Sequence, residues 1–281
     1  MPEGDTIWRV AAALRQRILG AVVERVSQGP GTPRGGACGA SWGGGLEGRR
    51  IEAIEPHGKH LIIRFEGGWA LRTHLGREGS WWILRPRQPW PKPAWQARVV
   101  LETGDWVAVC FLAPTVELTR RPERSLRSLG PDLLAPSPEL GEVLRRARAR
   151  GPETALGELL LDQRVAAGIG NVYRCETLWA KRRSPWQPAG DLDDRSLREL
   201  YAYAAEALRQ NAAPGRGFDR RFPDHARPAV HGRGGRPCPR CGTRIDVRRQ
   251  GQLARYTYFC PACQRDPAPA SGSGGAPSFT T

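Results

Sequence analysis

Two Cys-x-x-Cys pairs, Cys238-Pro-Arg-Cys241 and Cys260-Pro-Ala-Cys263, stand eighteen residues apart near the end of a chain of 281 residues. Four thiolates at this spacing suit one closed, tetrahedral, structural zinc ion carried by two knuckles with a β-hairpin between them, and they leave no open metal position for catalysis. Arg244, Arg248, Arg249 and Arg255 make the intervening hairpin basic. Metal binding is therefore expected to fold a finger that faces a polyanion. The remaining cysteines, Cys38, Cys110 and Cys175, are scattered singly, as free thiols of a reducing compartment would be.

Charge points to the same kind of partner. Forty-three Lys and Arg against twenty-eight Asp and Glu give a net charge of +15 and a pI near 10.5. Neutralising nucleic-acid phosphates releases counterions, which makes DNA or RNA the natural ligand of such an excess. With no apolar run of membrane-spanning length and no charged-then-apolar signal region at the start, the protein is expected to be soluble, cytoplasmic and without a membrane partner.

The chain begins Met1-Pro2-Glu3-Gly4-Asp5-Thr6. Removal of the initiator methionine would leave Pro2 with a free secondary amine, a nucleophile able to form an iminium adduct with an electrophilic carbon. Glu3 beside it can move protons at the same centre. Asp5 or Thr6 is expected to cap a helix over Ile7 to Leu19, where apolar residues recur at helical spacing. The positive potential of that helix end would disfavour an ammonium and keep part of the amine unprotonated.

Short strand patterns punctuated by Gly and Pro follow: Val22–Val26, Ile51–Ile54, Leu61–Phe65, Trp69–His74, Ser80–Leu84, Ala97–Leu101 and Trp106–Phe111. They predict a β-sandwich or barrel, with a flexible Gly-rich loop over 29–48 and a Pro/Trp excursion over 86–95. Beyond Pro122 the pattern turns helical, over 139–150, 154–161, 171–179 and 192–210. The segment 211–235 reads as an irregular connection, and the Pro/Ala/Ser/Gly tail 266–281 as disordered.

Two further stretches invite phosphate chemistry. Leu159 to Tyr173 holds a helix, a small-residue turn with Gly168 and Gly170, and a second helix from Asn171. Glycines there would let a backbone phosphate approach exposed amides and the Asn171 side chain. Gly58-Lys59-His60 opens a strand at a turn, where Lys59 could meet a phosphate or a reacting centre; His57, His60 and His74 lack partners at metal spacing.

Taken in order, Pro-Glu-Gly at the N-terminus, Gly-Lys before a strand, Leu-Gly-Pro-Asp-Leu-Leu (129–134), Asp-Gln-x(4)-Gly-x-Gly-Asn-x-Tyr (162–173) and a final four-Cys finger resemble the formamidopyrimidine-DNA glycosylase/endonuclease VIII family, over almost the whole chain to Gln264. Asp5-Thr6 is similar to the actinobacterial endonuclease VIII-like branch. The resemblance implies a DNA glycosylase and abasic-site lyase acting in base excision repair, in which Pro2 attacks C1′ of a damaged nucleoside and Glu3 assists sugar opening and proton transfer. It assigns Lys59 to DNA contact and elimination, Asn171 with Gly170 to phosphate binding at a helix-two-turn-helix, and Arg255 to the lesion phosphates. Arg77 would be the wedge that fills the gap left by the extruded base, and Arg127 a further DNA contact. Two segments depart from the family pattern. The wedge loop offers only Gly76, Arg77 and Glu78, and Ala113-Pro114-Thr115-Val116-Glu117 replaces the Arg-Arg-Phe segment that touches the opposite strand.

The expected fold is α+β: a catalytic N-terminal β-sandwich with a leading helix (1–121), a linker (122–136), a helical helix-two-turn-helix domain (137–225), a zinc finger (226–265) and a tail (266–281). One structural Zn2+ held by Cys238, Cys241, Cys260 and Cys263 is the expected cofactor, with no redox cofactor or catalytic metal. Damaged DNA is the expected partner of a monomer. Oxidised pyrimidines are the favoured substrate because 211–231 is short for a purine-capping loop. The rivals are an oxidised-purine glycosylase and a zinc-finger binder without activity.

Overall fold

In a computed structural model of the chain, residues 2–29, 43–213 and 219–265 are described. The tail 266–281, Cys38 and most of the Gly-rich loop lie outside them. Helix α1 (Gly4–Ile18) leads into strand β1 (Arg25–Gln28), a helical turn α2 (Gly43–Leu46), and strands β2 (Ile51–His57), β3 (His60–Phe65), β4 (Trp69–His74), β5 (Ser80–Leu84), β6 (Ala97–Thr103), β7 (Trp106–Phe111) and β8 (Thr115–Thr119). Two antiparallel four-stranded sheets result, with orders β1-β6-β7-β5 and β2-β3-β4-β8. This is a sandwich, not a barrel. Alternation explains the packing: Ile54, Leu61, Ile63 and Leu71 of one sheet meet Val99, Leu101, Ala108 and Cys110 of the other, all 2% exposed or less.

Helix α1 starts earlier than the sequence suggests. Glu3, not Asp5 or Thr6, is the capping residue: its carbonyl accepts the amides of Thr6 (3.0 Å) and Ile7 (3.2 Å). Thr6 acts from inside the helix, its hydroxyl accepting the Glu3 amide at 3.5 Å, and Asp5 is engaged elsewhere. The stripe Ile7, Ala11, Leu14 and Ile18 enters the sandwich core, whereas Trp8 packs against the helical core. One helix thus joins both halves and fixes the chain terminus between them.

Strand β8 escapes the sequence pattern because it is an edge strand with only Leu118 buried and Val116 half-buried among Thr115, Glu117 and Thr119. It pairs with β4, and Glu117 meets Arg72 at 2.6 Å. After a turn of helix, α3 (Glu123–Leu126), come α4 (Leu140–Arg148), α5 (Leu156–Leu161), α6 (Asn171–Ala180) and α7 (Asp194–Ala212). Asp193 caps α7, its carboxylate accepting the Ser196 amide at 2.8 Å. The finger is the antiparallel hairpin β9 (Asp246–Gln250) and β10 (Arg255–Phe259).

The segment expected as a linker is packed against the helical half over residues 130–134. Leu133 is fully buried in the helical core, and Gly130 lies so close to Val165 that a Cβ would sit 2.2 Å from its carbonyl oxygen. Asp132 reaches into the sandwich and accepts the Gly58 amide at 2.9 Å, while its other oxygen accepts the Leu134 amide. The turn before Lys59 is thereby tied to the helical half. Gly58 itself has φ of +55° and no space for a side chain beside Ala167.

Candidate active site and nucleic-acid interface

A cleft of about 630 Å³ runs between the sandwich and the helical half. Pro2 and Glu3 enter it ahead of α1, Lys59 from the β2–β3 turn, and Gly76 and Arg77 from the β4–β5 loop. Gly170 and Asn171 come from the start of α6, and Arg255 from the start of β10. These eight residues, far apart along the chain, therefore share one cavity wall. Arg127 does not: it is exposed at the end of α3 and is not among the residues lining the cleft.

Glu3 is the pivot of this arrangement. Its carboxylate is fully buried and accepts the backbone amide of Val172 at 2.9 Å and that of Tyr173 at 3.5 Å, at the open N-terminus of α6. The small residues of the turn make this approach possible. A Cβ on Gly170 would lie 2.2 Å from Glu3 Cδ, and one on Gly4 would lie 3.0 Å from Gly168 Cα. Gly4 also donates its amide to the Gly168 carbonyl at 3.0 Å. Glycines expected to admit a phosphate thus admit the N-terminal carboxylate first.

Asp5 is fully buried and paired with Arg220, whose guanidinium contacts it at 2.9 Å from two nitrogens and lies 5.3 Å from the Tyr173 ring. Desolvation opposes the Arg220 charge, but Glu3 and Asp5 outweigh it and raise the pKa further. This pair was missed because 211–235 looks irregular; the only signal was a buried-type acid two residues after Glu3. Arg9 completes the cluster at 3.4 Å from Asp5.

The other functional groups are held as firmly. Lys59 is pushed down to about 8 by desolvation, with Arg255 and Arg220 adding to the shift and Glu3 opposing it. His74, also on the cleft wall, is lowered by burial and by the charges of Lys59 and Arg72, and its Nδ1 accepts the Gly76 amide at 3.3 Å. A neutral ring with Nδ1 accepting carries its proton on Nε2, a donor suited to a phosphate. Asn171 donates to the Tyr256 carbonyl at 2.8 Å and accepts from Arg174 at 2.5 Å. The buried Arg174 in turn holds Thr257 (2.7 Å) and Gln250 (3.3 Å), so the start of α6 locks the base of the hairpin that presents Arg255.

A second buried acid, Glu176 of α6, serves the finger. It accepts the amides of Ala229, Val230 and His231 at 2.7 to 3.0 Å and the His225 ring at 2.9 Å. Beyond it the sulfurs of Cys238, Cys241, Cys260 and Cys263 all lie within 4.8 Å of one another. Zn–S bonds of about 2.3 Å in a tetrahedron require sulfurs roughly 3.8 Å apart, so the four fit one structural zinc ion. Trp179 Nε1 donates to Cys238 Sγ at 3.4 Å, and the Arg240 guanidinium lies 3.9 Å from the Trp179 ring. Cys260→Ser should therefore cost the finger its metal and loosen Arg255, lowering DNA affinity by about tenfold or more while the sandwich stays folded. Zinc content by atomic absorption and a DNA titration check this.

Sandwich, helical half and finger, with a cationic cleft between them, define a class of nucleic-acid-processing fold, and comparison with known proteins supplies the family. Residues 1–114 match the formamidopyrimidine-DNA glycosylase N-terminal domain, 129–219 the H2TH domain of the same glycosylases, and 235–265 the zinc finger found in FPG and IleRS. A "probable endonuclease 8 2" of Streptomyces coelicolor is 40% identical over 97% of both chains. The "DNA-(apurinic or apyrimidinic site) lyase Nei2" of Mycolicibacterium smegmatis is 36% identical over 94% of this chain and 99% of its own. The fold matches the crystal structure of Lactococcus lactis Fpg in complex with N7-benzyl-Fapy-dG DNA, with a TM-score of 0.78 over 94% of this chain and all of that one, at 23% identity. The chain belongs to the formamidopyrimidine-DNA glycosylase/endonuclease VIII family.

Proposed function

We propose that the protein is an endonuclease VIII-like DNA glycosylase and abasic-site lyase of base excision repair, working through an N-terminal Pro2 amine on oxidised pyrimidines. The observation that carries this is the placement of Pro2 and Glu3 on the wall of a cleft that also receives Lys59, Arg77, Asn171 and Arg255. The names of the relatives, one an endonuclease 8 and the other an abasic-site lyase, support the same reaction class.

A base inside a stacked duplex hides C1′, so the damaged nucleotide must swing into the cleft. The Pro2 nitrogen then attacks C1′; the bond from C1′ to the base breaks and the base leaves with a proton. Sugar opening gives an iminium, with Glu3 passing the proton to the ring oxygen. The iminium acidifies the C2′ hydrogen. Its loss expels the 3′ phosphate, and a second elimination expels the 5′ phosphate, after which water releases Pro2. Arg255, Asn171 and His74 hold the flanking phosphates through this sequence. Zinc supplies only the folding energy of the finger.

Lys59 carries a phosphate contact whose strength depends on its charge. With a pKa of about 8 in the free enzyme, the cation predominates at pH 7 by about ten to one and the neutral amine by about the same ratio at pH 9. Phosphate binds the cation, so affinity for abasic DNA is expected to weaken as pH rises from 7 to 9, the loss setting in near 8. Lys59→Arg keeps its charge across that range and should abolish this dependence. Equal pH profiles in the two proteins would remove Lys59 from the phosphate.

Strand preference follows from the wedge loop and β8. Extruding a base costs a few kcal/mol of unstacking, least where it is unpaired, and wedge residues offset that cost. Here Arg77 is exposed between Gly76 and Glu78, and the segment that would reach the opposite strand is tied into the sheet, Thr115 to Glu117 pairing with β4. Single-turnover excision of an oxidised pyrimidine is expected to be as fast in single-stranded or bubble DNA as in duplex, with little dependence on the opposite base. A strong duplex preference with one favoured partner base would contradict this.

A further inference from the structure

The outer face of the sheet β1-β6-β7-β5 carries charge and aromatic surface that the cleft does not use. Between Glu78 and Glu102 the chain holds four tryptophans and four Lys or Arg residues and no acid. Strand alternation separates the first two tryptophans. Trp81 turns inward and donates its indole N–H to Thr73 at 3.2 Å, while Trp82, 42% exposed, lies on the opposite face. The loop after β5 folds back over that same face. Trp90 meets Phe111 edge-on at 5.7 Å and remains 36% exposed, and Trp95 is 62% exposed.

The loop anchors Arg85 and Lys92 by contacts and sets the backbone of Arg87. Arg85, Pro86, Arg87 and Gln88 form a tight turn in which the Gln88 amide donates to the Arg85 carbonyl at 3.1 Å and the Arg85 amide donates to the Gln88 side chain at 3.0 Å. Arg87 has φ of +67°, the left-handed region where glycine is the ordinary choice, yet a long cation occupies it and is exposed. The Lys92 ammonium lies 6.0 Å from the Phe111 ring and donates to the Glu78 carbonyl at 3.5 Å. That last contact joins the face to the β4–β5 loop, next to Arg77 on the cleft rim. Asp105 stands at the far border, its carbonyl accepting from Arg85 at 3.4 Å.

We propose that this face is a stacking platform for single-stranded DNA that leaves the cleft past Arg77, with Trp82 and Trp95 receiving bases and Arg87 and Lys92 following the phosphates. The proposal rests on the cleft being the lesion site. Bases of any sequence stack on aromatic faces, and cations interleaved with aromatics are the combination that binds single strands without sequence preference. The acids of this region, Glu78, Glu102 and Asp105, stand at its borders, and a surface of this charge selects a polyanion over a neutral or basic protein partner. Single-stranded flanks would then be held beside the wedge loop, where Thr115 to Glu117 are tied into the sheet.

Four DNA ligands test it with the wild type, Trp82→Ala/Trp95→Ala and Arg87→Gly: a short abasic duplex confined to the cleft, the same duplex with a dT tail on either side of the lesion, and a lesion-free dT oligonucleotide of about twelve nucleotides. A tail on one side should tighten wild-type binding by roughly tenfold or more, and the tryptophan double variant should lose that gain. Arg87→Gly keeps the turn and should lower the salt slope of dT binding by about 0.7. The dT oligonucleotide should quench tryptophan fluorescence in the wild type and not in the double variant. Borohydride trapping on the short duplex should be equal in all three proteins; failure of trapping in every protein would count against the cleft alone, while the dT titration still decides the platform. A tail that adds nothing to wild-type affinity, or dT binding equal in wild type and double variant, overturns the proposal.

Discussion

Protein that retains Met1 is expected to form no borohydride-stable adduct with an abasic oligonucleotide, whereas the processed protein forms one to completion. An amide nitrogen has no lone pair to offer a carbonyl carbon, so the penalty is loss of the covalent step and not a reduction of it. Glu3 and Gly4 would be placed as before, since Glu3 is anchored to α6 and Gly4 to Gly168. DNA affinity should therefore survive while chemistry vanishes. Pro2→Gly, which exchanges a secondary for a primary amine, is expected to slow the reaction without abolishing it. Wild-type lyase rates from protein whose mass includes Met1 would exclude Pro2 as the nucleophile.

Gly170→Ala is expected to lower both base excision and lyase activity by at least about a hundredfold, or about 2.7 kcal/mol of transition-state stabilisation. The new methyl would lie 2.2 Å from Glu3 Cδ and 2.5 Å from Oε2. Glu3 is fully buried, and its carboxylate already uses the first amides of α6, so it has nowhere nearby to go. Relief requires the N-terminal strand of chain to withdraw from α6, which carries Pro2 out with it. The overpacking should cost stability by only about 1 to 3 kcal/mol, leaving a folded protein whose zinc content is normal. Glu3→Gln, by contrast, keeps the shape and changes the chemistry; it should lose base excision more than elimination at a ready-made abasic site. An active Gly170→Ala enzyme would show that the Glu3 position does not matter to catalysis.

How much of this was legible in the sequence depended on how local the cause was. Strands β4, β5 and β7 keep the bounds expected from the sequence because each is a short, largely apolar run between Gly or Pro turns. The four cysteines needed only their spacing, since one metal ion dictates the geometry. Pro2, Glu3, Lys59, Asn171 and Arg255 were found because of their order along the chain, and the fold brings them to one cleft. What stayed hidden was long-range and polar. Asp132 bonding the Gly58 amide 74 residues away, Arg220 bonding Asp5 across 215 residues, and Glu176 collecting three loop amides leave no periodic trace. Helix α1 was expected to begin at Ile7 because Asp5 and Thr6 are good caps in isolation; tertiary partners took Asp5 and moved the start to Gly4. Arg127, expected at the DNA, is exposed at the end of α3 and lies outside the cleft lining.

The central claim is that the amine of residue 2 becomes covalently joined to the sugar. Borohydride reduction of the enzyme with an oligonucleotide bearing a single abasic site, followed by proteolysis and tandem mass spectrometry of the cross-linked peptide, tests it directly. The account predicts one modified peptide, beginning at Pro2, with the sugar fragment on the proline nitrogen. A fragment on the Lys59 ammonium, or no adduct from protein shown by mass to have lost Met1, would contradict it.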